Sequence, residues 1–336
     1  MAKKTSKTSS RSLNDIKAEI NKLHGDNALV TLDEMDLDTP RIPTGIISVD
    51  TILSGGLPKG KIAIASGREG GGKSAIGLMF AAQAQKYGKV VYIDLENSFD
   101  PRKAENSGID MSELFVSQPG SAEDTLDVIE MCLGADDISA IIVDSVAAMM
   151  TDAQIAGDYS DAHVAGLARV MSLGLGKINA YMIEHKKDTV IFFINQIRDL
   201  INANGGGYGP TTTTPGGRAL KFYASTLMEV ARIENLKQGD EVIGQKSQVM
   251  LRKSRFSPPF AKANFDIYFD RGISNEGMLI DQAIDLGRIK KGGGGWMTDT
   301  VTGENIGQGK PSVMALLEEK PEYFQELTDW VLANSR

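Results

Sequence analysis

With 336 residues, 41% of them hydrophobic and 24% charged, the chain has an ordinary soluble globular composition. It is long enough for one main domain and a smaller second one. A net charge of −8 argues against a general polyanion binder with a basic surface throughout, although the charge is uneven and local patches matter more.

No apolar run approaches the ~18 residues that a membrane span needs. Lys3-Lys4-Thr5-Ser6-Lys7 lacks the apolar stretch of a secretory signal. The single cysteine, Cys132, forms no internal disulfide, which fits a cytoplasmic, reducing location. Residues 1–11 read as a basic polar tail. A short helix follows, with Ser12 as its cap, Asp15 three residues on and Gly25 to end it. Leu13, Ile16, Ile20 and Leu23 share one face, which either completes the protein's own core or docks on a neighbouring subunit.

From Arg41 the chain alternates strands and helices. Lys61–Ser66, Lys89–Asp94, Ile138–Asp144 and Thr189–Gln196 are apolar runs of strand length, with helical patterns at Ser74–Tyr87 and Ala122–Leu133. That alternation predicts βαβ units and a mainly parallel sheet. Three more strands, Thr226–Glu234, Lys246–Ser254 and Phe265–Phe269, come without intervening helices and read as antiparallel additions at one edge. Between Arg198 and Pro215 lies a glycine- and threonine-rich stretch with no core-forming pattern, too long for an ordinary connection and therefore a candidate binding loop. A small α+β domain is expected from about Ser274, dividing the chain into 1–35, 36–273 and 274–336.

Gly67-Arg68-Glu69-Gly70-Gly71-Gly72-Lys73-Ser74 fits the phosphate-loop pattern in full, after a strand and before a helix. Its backbone amides and helix terminus suit phosphates, Lys73 would reach the β- and γ-phosphates of ATP, and Ser74 would hold Mg²⁺. Asp144, ending an apolar strand, is the expected second Mg²⁺ contact. Glu96, just past a strand tip, is the candidate base for the attacking water, with Asp94 and Asp100 as rivals. Lys253 and Arg255 read either as a solvated face or as cations reaching a neighbour's γ-phosphate. Three histidines and one cysteine leave no zinc-ligand cluster.

These elements, in this order, resemble the bacterial RecA-type DNA strand-exchange recombinases over about residues 12–334. The most specific stretches are Ile93–Pro101, Val143–Ala148, Phe193–Arg198, Gly217–Ser225 and Ile306–Lys310. The resemblance implies an α/β RecA-like ATPase core, an amino-terminal oligomerisation helix docking on an adjacent protomer, and a helical filament on single-stranded DNA that pairs with homologous duplex. It implies single-strand-binding and mediator proteins as further partners. Lys73, Ser74, Asp144 and Glu96 match the family's phosphate, Mg²⁺ and catalytic residues, with Asp100, Lys103 and Phe269 in the adenine region. Gln196 matches its γ-phosphate sensor, and Lys253 and Arg255 its basic pair across the subunit interface. The first DNA loop falls near Ile155–His163, followed by Arg169 and Ser172. The second runs from Arg198 through Tyr208 to about Thr214, with Gly216, Gly217 and Arg218 beyond it.

Departures from the family pattern are also visible. Lys103 stands where an adenine-stacking tyrosine is usual, so base recognition is expected either to be looser or to use Arg102 or Phe269. Gly176 replaces an expected arginine, and the chain stops at Arg336 without a long acidic tail, so weaker autoinhibition is expected. Such divergence suits a phage-encoded or otherwise divergent member. Two competing readings are a regulatory RecA-like ATPase that assembles on a protein partner, and a metabolic P-loop kinase, for which no acceptor site is evident.

Overall fold

The computed structural model describes residues 11–25, 28–34, 39–157, 166–199, 212–213 and 215–335. The chain divides into two units, Met1–Pro40 and Arg41–Arg336.

In the first unit, helix α1 (Leu13–His24) begins at the expected capping box: Ser12 Oγ accepts from the Asp15 amide at 3.2 Å, and Asp15 Oδ2 accepts from the Ser12 amide at 3.0 Å. Asn21 exchanges two hydrogen bonds with the backbone of Leu29, and Lys17 pairs with Glu34, so residues 28–34 lie back along the helix. No residue of α1 is buried.

The second unit opens with a small ribbon, β1 (Arg41–Ile42) and β2 (Leu57–Pro58), that brackets α2 (Ile47–Ile52). The phosphate-loop strand β3 (Ile62–Gly67) leads into α3 (Lys73–Ala84). Then follow β4 (Lys89–Asp94), α4 (Pro101–Asn106), β5 (Leu114–Ser117), α5 (Ala122–Cys132) and β6 (Ile138–Asp144). Beyond them lie α6 (Asp152–Ala156), the long α7 (Gly166–Glu184) and β7 (Val190–Gln196). A short ladder, β8 (Arg198–Asp199) with β9 (Thr212–Thr213), closes the base of the glycine-rich stretch that the sequence left unstructured. After α8 (Gly217–Tyr223) come β10 (Thr226–Gln238), β11 (Glu241–Ser254), β12 (Lys262–Tyr268) and β13 (Gly272–Ser274).

Among the described residues nine of these strands form one sheet, ordered β13-β12-β11-β10-β3-β7-β6-β4-β5. The stretch from β10 to β5 is parallel, and β11, β12 and β13 extend it antiparallel at one edge. One expectation is corrected. Thr226–Glu234 belongs to a strand that runs parallel to β3, because α8 carries the chain back to the sheet's starting end before it re-enters.

Alternate residues of each central strand face opposite layers. Ala63, Ala65, Ile142, Phe192 and Ile194 pack against Ile76 and Phe80 of α3. Ile62, Ile64, Ile141, Val143 and Phe193 pack against α5, α7 and α8. Burial on both faces explains why the strands read as unbroken apolar runs.

The carboxy-terminal part joins α9 (Glu276–Asp285), the antiparallel sheet β14 (Ile289–Lys291), β15 (Trp296–Asp299) and β16 (Asn305–Gln308), then α10 (Gly309–Glu319) and α11 (Pro321–Asn334). Its apolar cluster includes Ile47 from α2, and Asn275 bridges Gly45 O at 2.7 Å and the Ile47 amide at 3.1 Å. A polar centre sits inside. Arg288, 2% exposed, makes two hydrogen bonds to Asp299 at 2.8 and 2.9 Å and one to Glu326 at 2.7 Å, and Tyr323 donates to Asp299 at 2.8 Å.

Removing Asp299 leaves a guanidinium buried with a lost partner, so Asp299→Ala should destabilise the protein by about 3–5 kcal/mol in denaturant unfolding. Burial pushes the Asp299 carboxyl up, but Arg288, Tyr323 and backbone donors outweigh it and hold it at about 2, below its ordinary 3.8. A depressed value means stabilisation that is full above pH 3.8 and is lost as the pH falls toward 2. The stability gap between the wild type and Asp299→Asn should therefore narrow over that window.

Candidate nucleotide site and loop-anchoring surface

Parallel pairing aligns Gly67 with Gln196 and Asp94 with Asp144, so the chemically active residues leave adjacent strands at one carboxyl edge. In open α/β sheets that edge is where ligands bind. A cavity of about 550 Å³ opens there, lined on one side by Gly70, Lys73 and Ser74 and on the other by Lys103, Tyr268 and Phe269.

The glycines are set by close approach. A Cβ on Gly67 would lie 2.0 Å from the Val230 carbonyl oxygen of β10. Gly72, the N-cap of α3, has φ 98°, and a Cβ there would meet Ile267 Cδ1 of β12 at 2.5 Å. β10 and the antiparallel strands beyond it therefore form the wall on which the loop is moulded. Gln245 of β11 completes it by donating to Gly70 O at 2.7 Å.

Lys73 is 7% exposed and donates to the Arg68 carbonyl oxygen at 2.8 Å. Burial pushes its ammonium pKa down, while Asp144, Glu96 and Glu69 pull it back up. Asp144 is 5% exposed. Burial pushes its carboxyl pKa up, hydrogen bonds from Ser74 and Tyr92 oppose this, and Glu96 and Asp94 add to the rise. The Tyr92 hydroxyl donates to Asp144 Oδ2 at 2.7 Å, and the Asp144–Ser145 peptide is cis.

Of the three rival carboxylates, only Glu96 lines the cavity. Its Oε1 accepts from Ser145 Oγ and from Gln196 Nε2, the latter at 3.2 Å. Asp94 is occupied elsewhere, accepting from the Ser98 and Phe99 amides at 3.1 Å each and from Gln118 Nε2 at 3.2 Å. Asp100 caps α4 by accepting from the Arg102 amide at 3.0 Å, and Lys103 Nζ stands 4.0 Å from it.

Asn195, beside Gln196, donates to Pro215 O at 2.9 Å and ties the two ends of the glycine-rich stretch together. Gly216 and Gly217, at φ 79° and 72°, start α8 against α7, where a Cβ on Gly217 would lie 2.8 Å from Ala168 Cβ. Arg169, Ser172 and Arg218 are exposed around this junction. His163 and Tyr208 lie outside the described residues, and Arg198 is described only as backbone in β8. Lys253 donates to the Lys221 and Phe222 carbonyl oxygens at 2.9 and 3.1 Å, capping the end of α8. Neither Lys253 nor Arg255 lines the cavity of its own chain.

Sequence reasoning passed over Tyr92, Ser145 and Gln245. The first two adjoin motif carboxylates, and period-2 alternation puts Tyr92 on the same side of β4 as Asp94. Gln245 is 175 positions from Gly70, so no local pattern could reveal it.

A strand, a glycine loop that caps a helix, and a carboxylate on a neighbouring strand tip define a P-loop nucleotide-binding protein of the parallel α/β class. Residues 11–274 match the RecA N-terminal domain family and residues 277–336 the RecA C-terminal domain family. Protein RecA of Ruminococcus albus is 40% identical over 321 residues, covering 95% of this chain and 79% of that one. Protein RecA of Mycobacterium avium is 41% identical over 313 residues, covering 92% and 87%, and that of a Nitratiruptor species 41% over 312, covering 92% and 89%. The chain belongs to the RecA family of recombinases.

The Gln245 hydrogen bond is neutral and partly buried, worth about 0.5–1.5 kcal/mol net. Gln245→Ala should accordingly weaken binding of a fluorescent ATP analogue by roughly 2–10-fold in equilibrium titration, without abolishing it.

Proposed function

We propose that the protein hydrolyses ATP in a DNA-dependent manner and couples that hydrolysis to homologous pairing and strand exchange in a filament on single-stranded DNA. One observation carries the coupling: the Glu96 carboxylate is held by the amide of Gln196, the last residue before the loop that Asn195 and β8–β9 close.

The donor set suits magnesium. Ser74 hydroxyl and Asp144 carboxylate are hard oxygen donors, and among the described residues no group of three or more His, Cys, Asp or Glu side chains forms a cage. One or two protein oxygens completed by substrate phosphates is the usual Mg²⁺ arrangement. When bound, the ion neutralises charge on the β- and γ-phosphates.

In hydrolysis Glu96 takes the proton of the attacking water as its oxygen bonds to the γ-phosphorus and the bond to the ADP oxygen breaks. Lys73 holds the charge that develops on the phosphates. Gln196 exchanges Glu96 for the γ-phosphate, and that movement passes to the residue 198–214 loop. Phe269 and Lys103 flank the base. Lys253 and Arg255 act on the ATP of a neighbouring protomer, with α1 joining protomers. Arg169, Ser172, Arg198, Arg218, His163, Tyr208 and the Gly216–Gly217 amides contact DNA, chiefly its phosphates, because base pairing between strands supplies the sequence readout.

Electron microscopy with single-stranded DNA and a non-hydrolysable ATP analogue should give regular helical filaments. Discrete rings, or no response to DNA, would instead point to a regulatory ATPase that assembles on protein. Lys73→Ala should abolish hydrolysis. Glu96→Gln should lower DNA-dependent turnover by about 10²–10⁴-fold while DNA binding persists. Normal strand exchange by Gln196→Ala would refute the proposed switch.

A further inference from the structure

We propose that Tyr92 is a positioning residue of the magnesium site, holding Asp144 in the orientation that completes the ion's protein contacts. The inference rests on the ATP-and-magnesium reading above and extends it to a residue behind the carboxylate.

Tyr92 lies in β4, is 3% exposed, and belongs to the apolar layer shared with α3. Apart from its hydroxyl, its surroundings are those of a core phenylalanine. The ring packs edge-on against Phe99, with centroids 5.2 Å apart and planes at 63°. A buried phenol needs a partner, and this one donates to Asp144 Oδ2 at 2.7 Å across the β4–β6 pair. Asp144 is also hydrogen-bonded to Ser74, so two hydroxyls on different elements restrict its rotation. Ser74 is exchangeable, since its oxygen is wanted by the ion. Tyr92 is fixed by the core and faces Asp144 from within the sheet layer, so it keeps the carboxylate oriented while Ser74 changes partners. Outer partners of metal-binding carboxylates commonly set metal affinity in this way.

Tyr92→Phe preserves the ring and removes only the donor. Binding of a fluorescent ATP analogue should be followed as Mg²⁺ is titrated, for wild type, Tyr92→Phe and Asp144→Asn, with analogue binding in chelator measured alongside. The expected result is that Tyr92→Phe needs about tenfold more Mg²⁺ for half-saturation while chelator-state binding is unchanged. An unchanged Mg²⁺ midpoint in Tyr92→Phe overturns the inference, whether or not its thermal midpoint falls, because a purely structural hydroxyl would move only the latter. If wild type itself binds the analogue with no dependence on Mg²⁺, and Asp144→Asn behaves the same, the magnesium reading fails and takes this inference with it.

Discussion

Lys73 carries an ammonium group to a place where only 7% of the residue meets solvent, and a buried charge is costly unless compensated. Three carboxylates, on Asp144, Glu96 and Glu69, offset part of that cost from the end of β6, the loop after β4 and the phosphate loop itself, although burial still holds the ammonium pKa below its ordinary value. These segments converge only because β3, β7, β6 and β4 end at one edge in a fixed register. The site is thus a charge-balancing problem solved by strand order. Glycine at Gly67 and Gly72 is a consequence, since any side chain there would drive the loop off β10 and β12.

The same geometry is what the proposed switch at Gln196 rests on. Its bond to Glu96 is between a neutral amide and a carboxylate at 3.2 Å, at the partly open mouth of the site. Such a bond is cheaper to exchange than an ion pair in the interior. Asn195, one residue earlier and 3% exposed, is instead locked to Pro215. In the proposed switch, Asn195 would hold the loop's base while the Gln196 side chain changes partner.

Much of this architecture was legible in the sequence. The βαβ alternation, the phosphate loop, the capping box at Ser12 and the strand ending in Asp144 are local patterns, and each appears at or within a few residues of its expected bounds. Spacing favoured Glu96 but did not exclude Asp94 and Asp100, because all three sit within seven residues at the end of β4 or just beyond it. It took the amides that occupy Asp94 and Asp100 to leave Glu96 facing the cavity. The direction of β10 was misread because hairpin spacing between Thr226 and Ser254 is identical whether the first strand joins the sheet parallel or antiparallel. Gln245 and Tyr92 escaped because the contacts that define them span sheet neighbours far apart in sequence.

The central strands send alternate side chains to two layers, Ile76 and Phe80 of α3 on one and α5, α7 and α8 on the other. In evolutionary terms the sheet is a partition between two separately editable surfaces. A substitution in the helices of one layer reaches the other only through a strand backbone or a strand tip. The α7–α8 layer, with its Gly176 against Tyr223 and its glycine-led helix start, can therefore drift toward new surface chemistry while α3 and the loop before it stay as they are. What such drift cannot touch without consequence is the short row of tip residues, Asn195 and Gln196 foremost, where the two surfaces share a single piece of chain.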